Sequence, residues 1–408
     1  VEHFNVTRFT HAVNALIARH EMLRARVLPD GTQQILAQVP AYQLEQRDLS
    51  ALSPNARNDA LMAIRDRLSH HVHPADRWPL FDFSYSACTA QHGRLHFSLD
   101  LLIADALSMR TLQQELMMLY REPHVSLPLL PFSFRDYVQA LLVEQASEAY
   151  ARDQAYWQRA LPQLYGPPTL PVQGDLAQLS AIRFVRRRHR LSAHNWGVLS
   201  ALAQRTRITK TALLLTVFSQ VLARWSLSPT FTLNLTLFNR PQGYPNAEAV
   251  IGDFTAVSLL NVCYDSQHSY AHNAQRIQVQ LWEDLEHRRF SGIRASEALI
   301  HSGRFHAPMP VVFTSMLDID GETTAQDPRD TTRFTLCPDA NITQTPQVWL
   351  DHQVIELAGE LHFNWDAVEQ LFDTTLLDQM FGAYCHALQA LVAMPQSWWG
   401  VNSSLALP

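Results

Sequence analysis

Apolar residues recur at helical spacing over 5–20, 56–71, 105–121, 133–146 and 148–161, and each stretch predicts a helix with one buried face. Between them, period-two or continuous apolar runs at 23–28, 33–38, 80–88 and 93–100 predict strands. The segment Gly166-Pro167-Pro168-Thr169-Leu170-Pro171 cannot hold a regular element, because proline removes a donor and restricts the residue before it. The pattern then restarts. Strands are expected at 181–190, 230–237, 257–262 and 311–314, helices at 193–205, 209–225, 270–287 and 293–301, a hairpin across 354–363, and one or two closing helices over 367–393. The polar stretch 318–333 reads as a surface loop. Strands mixed with helices in both halves predict an α/β protein of two similar lobes, 1–165 and 181–408, joined by an extended linker at 166–180.

A chain of 408 residues is long for one core, which agrees with two lobes. With 47% hydrophobic and 17% charged residues it is globular rather than disordered. A net charge of −6 with scattered arginines gives no electrostatic footprint for nucleic acid. No apolar run reaches membrane-span length and no signal peptide opens the chain, so a cytoplasmic setting is expected. Cys88, Cys263, Cys337 and Cys385 are far apart and read as reduced core residues without zinc-type spacing. No metal, nucleotide or flavin motif is recognisable, so no resident cofactor is expected. His70, His71 and His73, with Asp76 close by, resemble a metal cluster superficially, but they end an amphipathic helix and have no distant fourth ligand; they read as a solvated helix terminus.

The most informative segment runs from Phe97 to Ser108. Asp100 falls where a strand ends and Asp105 where a helix begins, both in apolar surroundings. Asp105 suits an N-cap accepting from the Ser108 N–H, or a buried arginine partner. Asp100 has no local structural role, and catalytic and structural readings stay open for it.

Asp-x4-Asp-x2-Ser, as Asp100, Asp105 and Ser108, resembles the core motif of the heterocyclization domains of non-ribosomal peptide synthetases, thiazoline- and oxazoline-forming relatives of condensation domains. Further segments match in order between residues 19 and 351. They are Arg19-His20-Glu21-Met22-Leu23 with Asp30-Gly31-Thr32-Gln33, the prolines of 161–171, Leu235–Arg240, Gly252–Thr255, Pro310–Ser315 and Gln344–Asp351. The resemblance implies two chloramphenicol-acetyltransferase-like lobes forming a V-shaped pseudo-dimer with the active site in a tunnel between them. It also implies that an N-terminal segment carrying the family's first motif precedes Val1 in a larger synthetase.

Ordinary condensation domains carry His-His-x3-Asp-Gly, and here Asp100 stands at the first histidine and Leu101 at the second. Leucine can neither accept a proton nor hydrogen-bond. The resemblance therefore implies amide formation between a carrier-bound acyl or peptidyl thioester and a carrier-bound cysteine, serine or threonine, then ring closure and loss of water. It assigns cyclodehydration to Asp351 and Thr314, with Asp100 as a third catalytic candidate and Asp105, Ser108, Asn239 and Gln347 in supporting places. A carboxyl group raised by burial suits such acid–base work. On local pattern alone, Thr314 is equally an ordinary strand residue, Asp351 a turn acid after an irregular or edge segment, and Asn239 and Gln347 polar residues of turns or edges. Asp253, Trp365-Asp366 and Arg19-His20 read as structural: a crossover, a hairpin end and a helix C-terminus.

The expected partners are an upstream donor carrier domain, a downstream acceptor carrier domain and an adjacent adenylation domain, with 4′-phosphopantetheine on the carriers. A siderophore synthetase is a plausible home. Two alternatives remain: a condensation-type acyltransferase that makes an amide or ester without cyclization, and a non-catalytic carrier-docking module.

Overall fold

The computed structural model describes residues 1–179, 181–240, 244, 246–317, 334 and 341–400. The chain divides into two compact units that differ from the expected lobes. The first comprises Val1–Leu142 and Phe238–Thr255 with Phe334 and Asn341; the second comprises 143–237, 256–317 and 342–400. The proline-rich stretch is thus no boundary. It runs along the second unit, where the Gln173 N–H donates to Leu371 O and the Thr232 N–H to Gly166 O.

In the first unit the elements are α1 (Val6–Arg19), β1 (Ala25–Val27), β2 (Gln33–Ile35), β3 (Glu45–Asp48), α2 (Pro54–Ser69), β4 (Phe81–Ala87), β5 (Gly93–Leu99), α3 (Ala106–Arg121) and α4 (Phe134–Glu144). α1 buries Phe9, Ala12, Val13, Leu16 and Ile17 on one stripe and is capped by Asn5, which accepts from the Arg8 N–H. That stripe packs with Phe81, Phe83, Leu112 and Tyr120 from β4 and α3. β4 lies between parallel β3 and antiparallel β5. The sequence pattern misses β3, whose residues Glu-Gln-Arg-Asp carry no apolar signal.

The second unit holds α5 (Glu148–Ala160), β6 (Phe184–Leu191), α6 (Ala193–Thr206), α7 (Lys210–Trp225), β7 (Thr230–Phe238), β8 (Thr255–Cys263), α8 (Tyr270–Glu286), α9 (Gly292–His301), β9 (Val311–Met316), β10 (Leu350–Leu357), β11 (Glu360–Val368) and α10 (Thr374–Ala393). Its six strands run in the order β6-β11-β10-β9-β7-β8. β9 is parallel to both β10 and β7, while β11 is antiparallel to β10 and β6. β10 and β11 form the expected hairpin, turning through Ala358 and Gly359 at φ of 51° and 77°, the left-handed pair that a two-residue turn needs. α7 is buried continuously from Ala212 to Leu222 and forms the centre of a core with α10 and one sheet face.

The expected loop 318–333 and Cys337 lie outside the described residues. Of the other cysteines, Cys385 is half-buried and packs against the core of the second unit, Cys88 is half-buried and Cys263 is exposed. Among the described residues, no helix is long and apolar enough to cross a membrane.

Candidate active site

Register writes two rows of side chains across the sheet of the second unit. One row pairs Arg186, Asp366, Asp351 and Val312; the next pairs Arg188, Asn364, Gln353, Thr314 and Thr236. Alternation sends His352 and Trp365 to the opposite face, against Phe218, Phe313 and Tyr384. There burial pulls the His352 imidazole down to about 3, so it is a neutral core residue. One face of the sheet is therefore aromatic core and the other carries a polar network.

Asp351 is at the centre of that network and is 6% exposed. It sits in a central strand between β9 and β11, which excludes the turn-acid and edge-strand readings. The irregular part ends just before it, where Gln347 occupies a positive φ of 67° on an exposed turn away from the network. Thr314 Oγ1 lies 3.2 Å from Asp351 Oδ1, and Thr236 Oγ1 lies 2.8 Å from Thr314 Oγ1. On the other side Gln353 Nε2 donates to Asp351 Oδ2 at 2.5 Å. The Gln353 oxygen in turn accepts from Asn364 Nδ2 at 3.3 Å and Arg186 Nη2 at 3.5 Å, so its amide is oriented nitrogen-first toward Asp351.

Two carboxyl groups thus stand opposite one another across a strand pair, but only one has an arginine. Arg186 makes a two-armed pair with Asp366, at 2.6 Å from Nε and 2.5 Å from Nη2. Among the described residues Asp351 has only the neutral donors Gln353 and Thr314. Burial pushes its carboxyl from 3.8 to about 7, and the facing Asp366 adds to the rise against the hydrogen bonds of Gln353 and Thr314. A carboxyl group that holds and releases a proton near neutrality, screened from bulk water, has the properties of a general acid and base. Gln353, Asp366 and Arg186 lie in no motif segment, and Thr236 lies in one, Leu235–Arg240, without standing out there; only the register brings the four together.

The motif of the first unit is built differently. Asp105 is 1% exposed and caps α3, its Oδ1 accepting from the Ser108 N–H at 2.7 Å and from Arg240 Nη2 at 2.9 Å. Both alternatives read from the sequence, cap and arginine partner, hold at once. Arg240 also donates to Ser108 Oγ and to the carbonyls of Ala247, Glu248 and Val250, and its guanidinium lies 4.4 Å from the Phe254 ring centre. Ser108 Oγ donates to Gly252 O and accepts from the Gly252 N–H. A Cβ at Gly252 would meet the Phe134 ring at 2.1 Å, so only glycine fits there. Three separately recognised segments, Asp105–Ser108, Asn239-Arg240 and Gly252–Thr255, are one buried knot.

Asp100 is half-buried at the end of β5, its Oδ1 accepting from the Leu102 N–H at 3.0 Å in a local turn. The histidines before β4 are not simply a solvated terminus. His70 does cap α2, but His73 is 8% exposed, with Nε2 3.3 Å from Ser98 Oγ, and its ring feels both the Asp100 and Asp82 carboxylates. Among the described residues no group of three or more histidines, cysteines or acids is arranged to hold a metal. Asn239 reaches Tyr137 Oη at 3.4 Å and its N–H donates to Phe254 O, within the first unit. Arg19 and His20 do more than end α1: both meet Glu115 of α3, His20 Nε2 at 2.7 Å.

Residues 1–400 match the condensation-domain family. The chain belongs to that family. Within it the resemblance is to the heterocyclization kind. The cyclization-docking bidomain of EpoB, a non-ribosomal peptide synthetase from Sorangium cellulosum, superimposes with a TM-score of 0.85 at 36% identity, covering 97% of this chain and 79% of that one. Pyochelin synthetase PchF of Pseudomonas aeruginosa is 35% identical over 96% of this chain, and phenyloxazoline synthase MbtB of Mycobacterium tuberculosis is 35% identical over 98%. The chain spans only 21% and 28% of the lengths of these two synthetases. It is a heterocyclization domain, with the mixed α/β fold of the condensation-domain structures.

Proposed function

We propose that the domain joins a carrier-bound acyl or peptidyl thioester to the amine of a carrier-bound cysteine, serine or threonine, then closes and dehydrates the product to a thiazoline or oxazoline. The observation that carries the reading is Asp351: a buried carboxyl group, raised to about 7, hydrogen-bonded to Thr314 and without a cationic partner of its own. Amide formation from a thioester needs positioning above all, because the acyl group is activated and a tethered amine has a high effective concentration. Ring closure needs acid–base work. The side-chain thiol or hydroxyl adds to the amide carbonyl, and the resulting carbinolamine loses its hydroxyl as water and its nitrogen proton. Asp351 supplies the first proton and takes back the second, and Thr314 orients the carboxyl group.

Asp100 is the third candidate, an accessible carboxylate at the end of the motif strand, and Asp105 and Ser108 hold the fold of that segment. Asn239 and Gln347 have supporting places outside the acid network. Substrates arrive as phosphopantetheine thioesters on an upstream and a downstream carrier domain, with an adenylation domain loading the acceptor in the same synthetase. The setting proposed for it is a siderophore pathway, in a synthetase similar to pyochelin synthetase PchF.

The test supplies loaded donor and cysteinyl carrier domains and follows product mass. A product lighter by one water than the amide supports the reading. Uncyclized amide alone from the wild-type domain shows a condensation-type transferase, and no transfer at all shows a docking module.

A further inference from the structure

Asp351 is buried and Thr314 is only 8% exposed, so neither has an open path to a substrate from the positions they hold. The chain of hydroxyls has one more member. Thr236 on β7 pairs with Thr314 in the strand register, its Oγ1 2.8 Å away, and it is half-exposed where the other two are buried. We propose that Thr236 is the outlet of the acid network, the hydroxyl through which Asp351, by way of Thr314, exchanges its proton with the reacting centre. The inference rests on the assignment of Asp351 as the acid and base of ring closure.

The hydrogen-bond inventory fixes the direction. Gln353 covers Asp351 Oδ2 with an N–H that Asn364 and Arg186 lock in place from behind, so the proton of the neutral acid resides on Oδ1, the oxygen that faces Thr314. An amide has no hydroxyl to pass a proton on, so Gln353 is a positioning residue and closes that side. A hydroxyl both donates and accepts, so Thr314 and Thr236 carry a proton either way by reversing their bonds. In dehydration the Asp351 proton moves to Thr314 Oγ1, that of Thr314 to Thr236 Oγ1, and that of Thr236 to the departing hydroxyl. The carbon–oxygen bond breaks, water leaves, and the nitrogen lone pair forms the C=N bond. The proton left on nitrogen returns along the same hydroxyls, in the reverse order, to the Asp351 carboxylate, so the acid is regenerated and the substrate has lost one water.

The test is Thr236→Val, which keeps the shape and removes the hydroxyl, beside Thr236→Ser, which keeps the hydroxyl, with Thr236→Ala as a second deletion should the valine variant misfold. Single-turnover reactions with loaded carriers resolve the amide from the ring product. The expected result is accumulation of amide in the valine variant, with ring closure slowed on the order of a hundredfold, amide formation retained, and the serine variant within about threefold of wild type. Normal ring closure in Thr236→Val while Asp351→Asn blocks it overturns the relay and leaves the acid assignment standing. Equal loss in the valine and serine variants overturns it too, since the hydroxyl would then not be what matters. Normal ring closure in Asp351→Asn refutes the acid assignment and the relay together.

Discussion

Replacing Asp351 with asparagine makes a prediction about stability that needs no substrate. The carboxyl group goes from 3.8 to about 7 on folding. An acid with a raised value binds its proton more tightly when folded, so its contribution to stability improves as pH falls through 7 and is complete below 3.8. Each pH unit between those values is about 1.4 kcal/mol, so at pH 8 the ionisable side chain costs the fold about 4 kcal/mol and at pH 4.5 only about 1 kcal/mol. Asparagine does not titrate and reproduces the neutral acid, its oxygen accepting from Gln353 Nε2 and its amide nitrogen facing the Thr314 hydroxyl. The variant is therefore expected to be more stable than wild type by about 4 kcal/mol at pH 8 and by only about 1 kcal/mol at pH 4.5. The pH dependence of the difference is about 3 kcal/mol between the two conditions. Urea unfolding of both proteins side by side at each pH measures it, with the titrating groups that do not interact with residue 351 cancelling. A stability difference that does not move with pH would refute a buried acid titrating near neutrality, and with it the chemical case for Asp351.

Thr314→Val should leave amide formation intact and slow ring closure by about a hundredfold or more, read as amide accumulating by mass spectrometry; unchanged thiazoline formation would remove Thr314 from the mechanism. Asp105→Ala leaves the Arg240 guanidinium buried without its carboxylate and should cost about 3–5 kcal/mol in urea unfolding, with a matching loss of soluble yield. A stable, soluble but inactive variant would show that Asp105 is not structural. Gly252→Ala forces a methyl group into the Phe134 ring and should destabilise by about 1–3 kcal/mol by the same assay, while a Gly252→Ala, Phe134→Leu double variant recovers part of that.

What the sequence disclosed was local. The stripe of α1, the unbroken apolar run of α7 and the cap at Asp105 each involve residues within a turn or two, and periodicity and capping rules read them directly. The ordered motif segments carried the family. What the sequence hid was long-range pairing. Arg186 meets Asp366 across 180 residues, and Thr236 meets Thr314 across 78, because β6 lies beside β11, and β7 lies beside β9 with β8 on its outer side. Pro346 and the turn at Gln347 masked the start of β10 and made a central-strand acid resemble a loop residue. The prolines at 167, 168 and 171 forbade regular structure, as expected, but irregular backbone along the side of a unit gives the same local signal as a linker between lobes.

The segment that first signals heterocyclization is not the one that supplies the proposed acid. Asp105 commits its Oδ1 to a helix cap and an arginine, and Asp100 turns one oxygen back to its own backbone. Where a histidine would stand there is Leu101, 41% exposed and chemically inert. Ring closure needs a group that keeps a proton at neutral pH, and a carboxyl group does so only if burial is not offset by a cation. The second unit meets that condition by asymmetry: two acids face each other across β10 and β11, and Arg186 is committed to Asp366. Without Arg186, burial would leave neither acid held ionised. Burial raises Asp366 too, but Arg186 on the outer strand opposes the rise there, and the charge Asp366 carries helps to keep the proton on Asp351. The identity of the acid is thus decided by which strand carries the arginine.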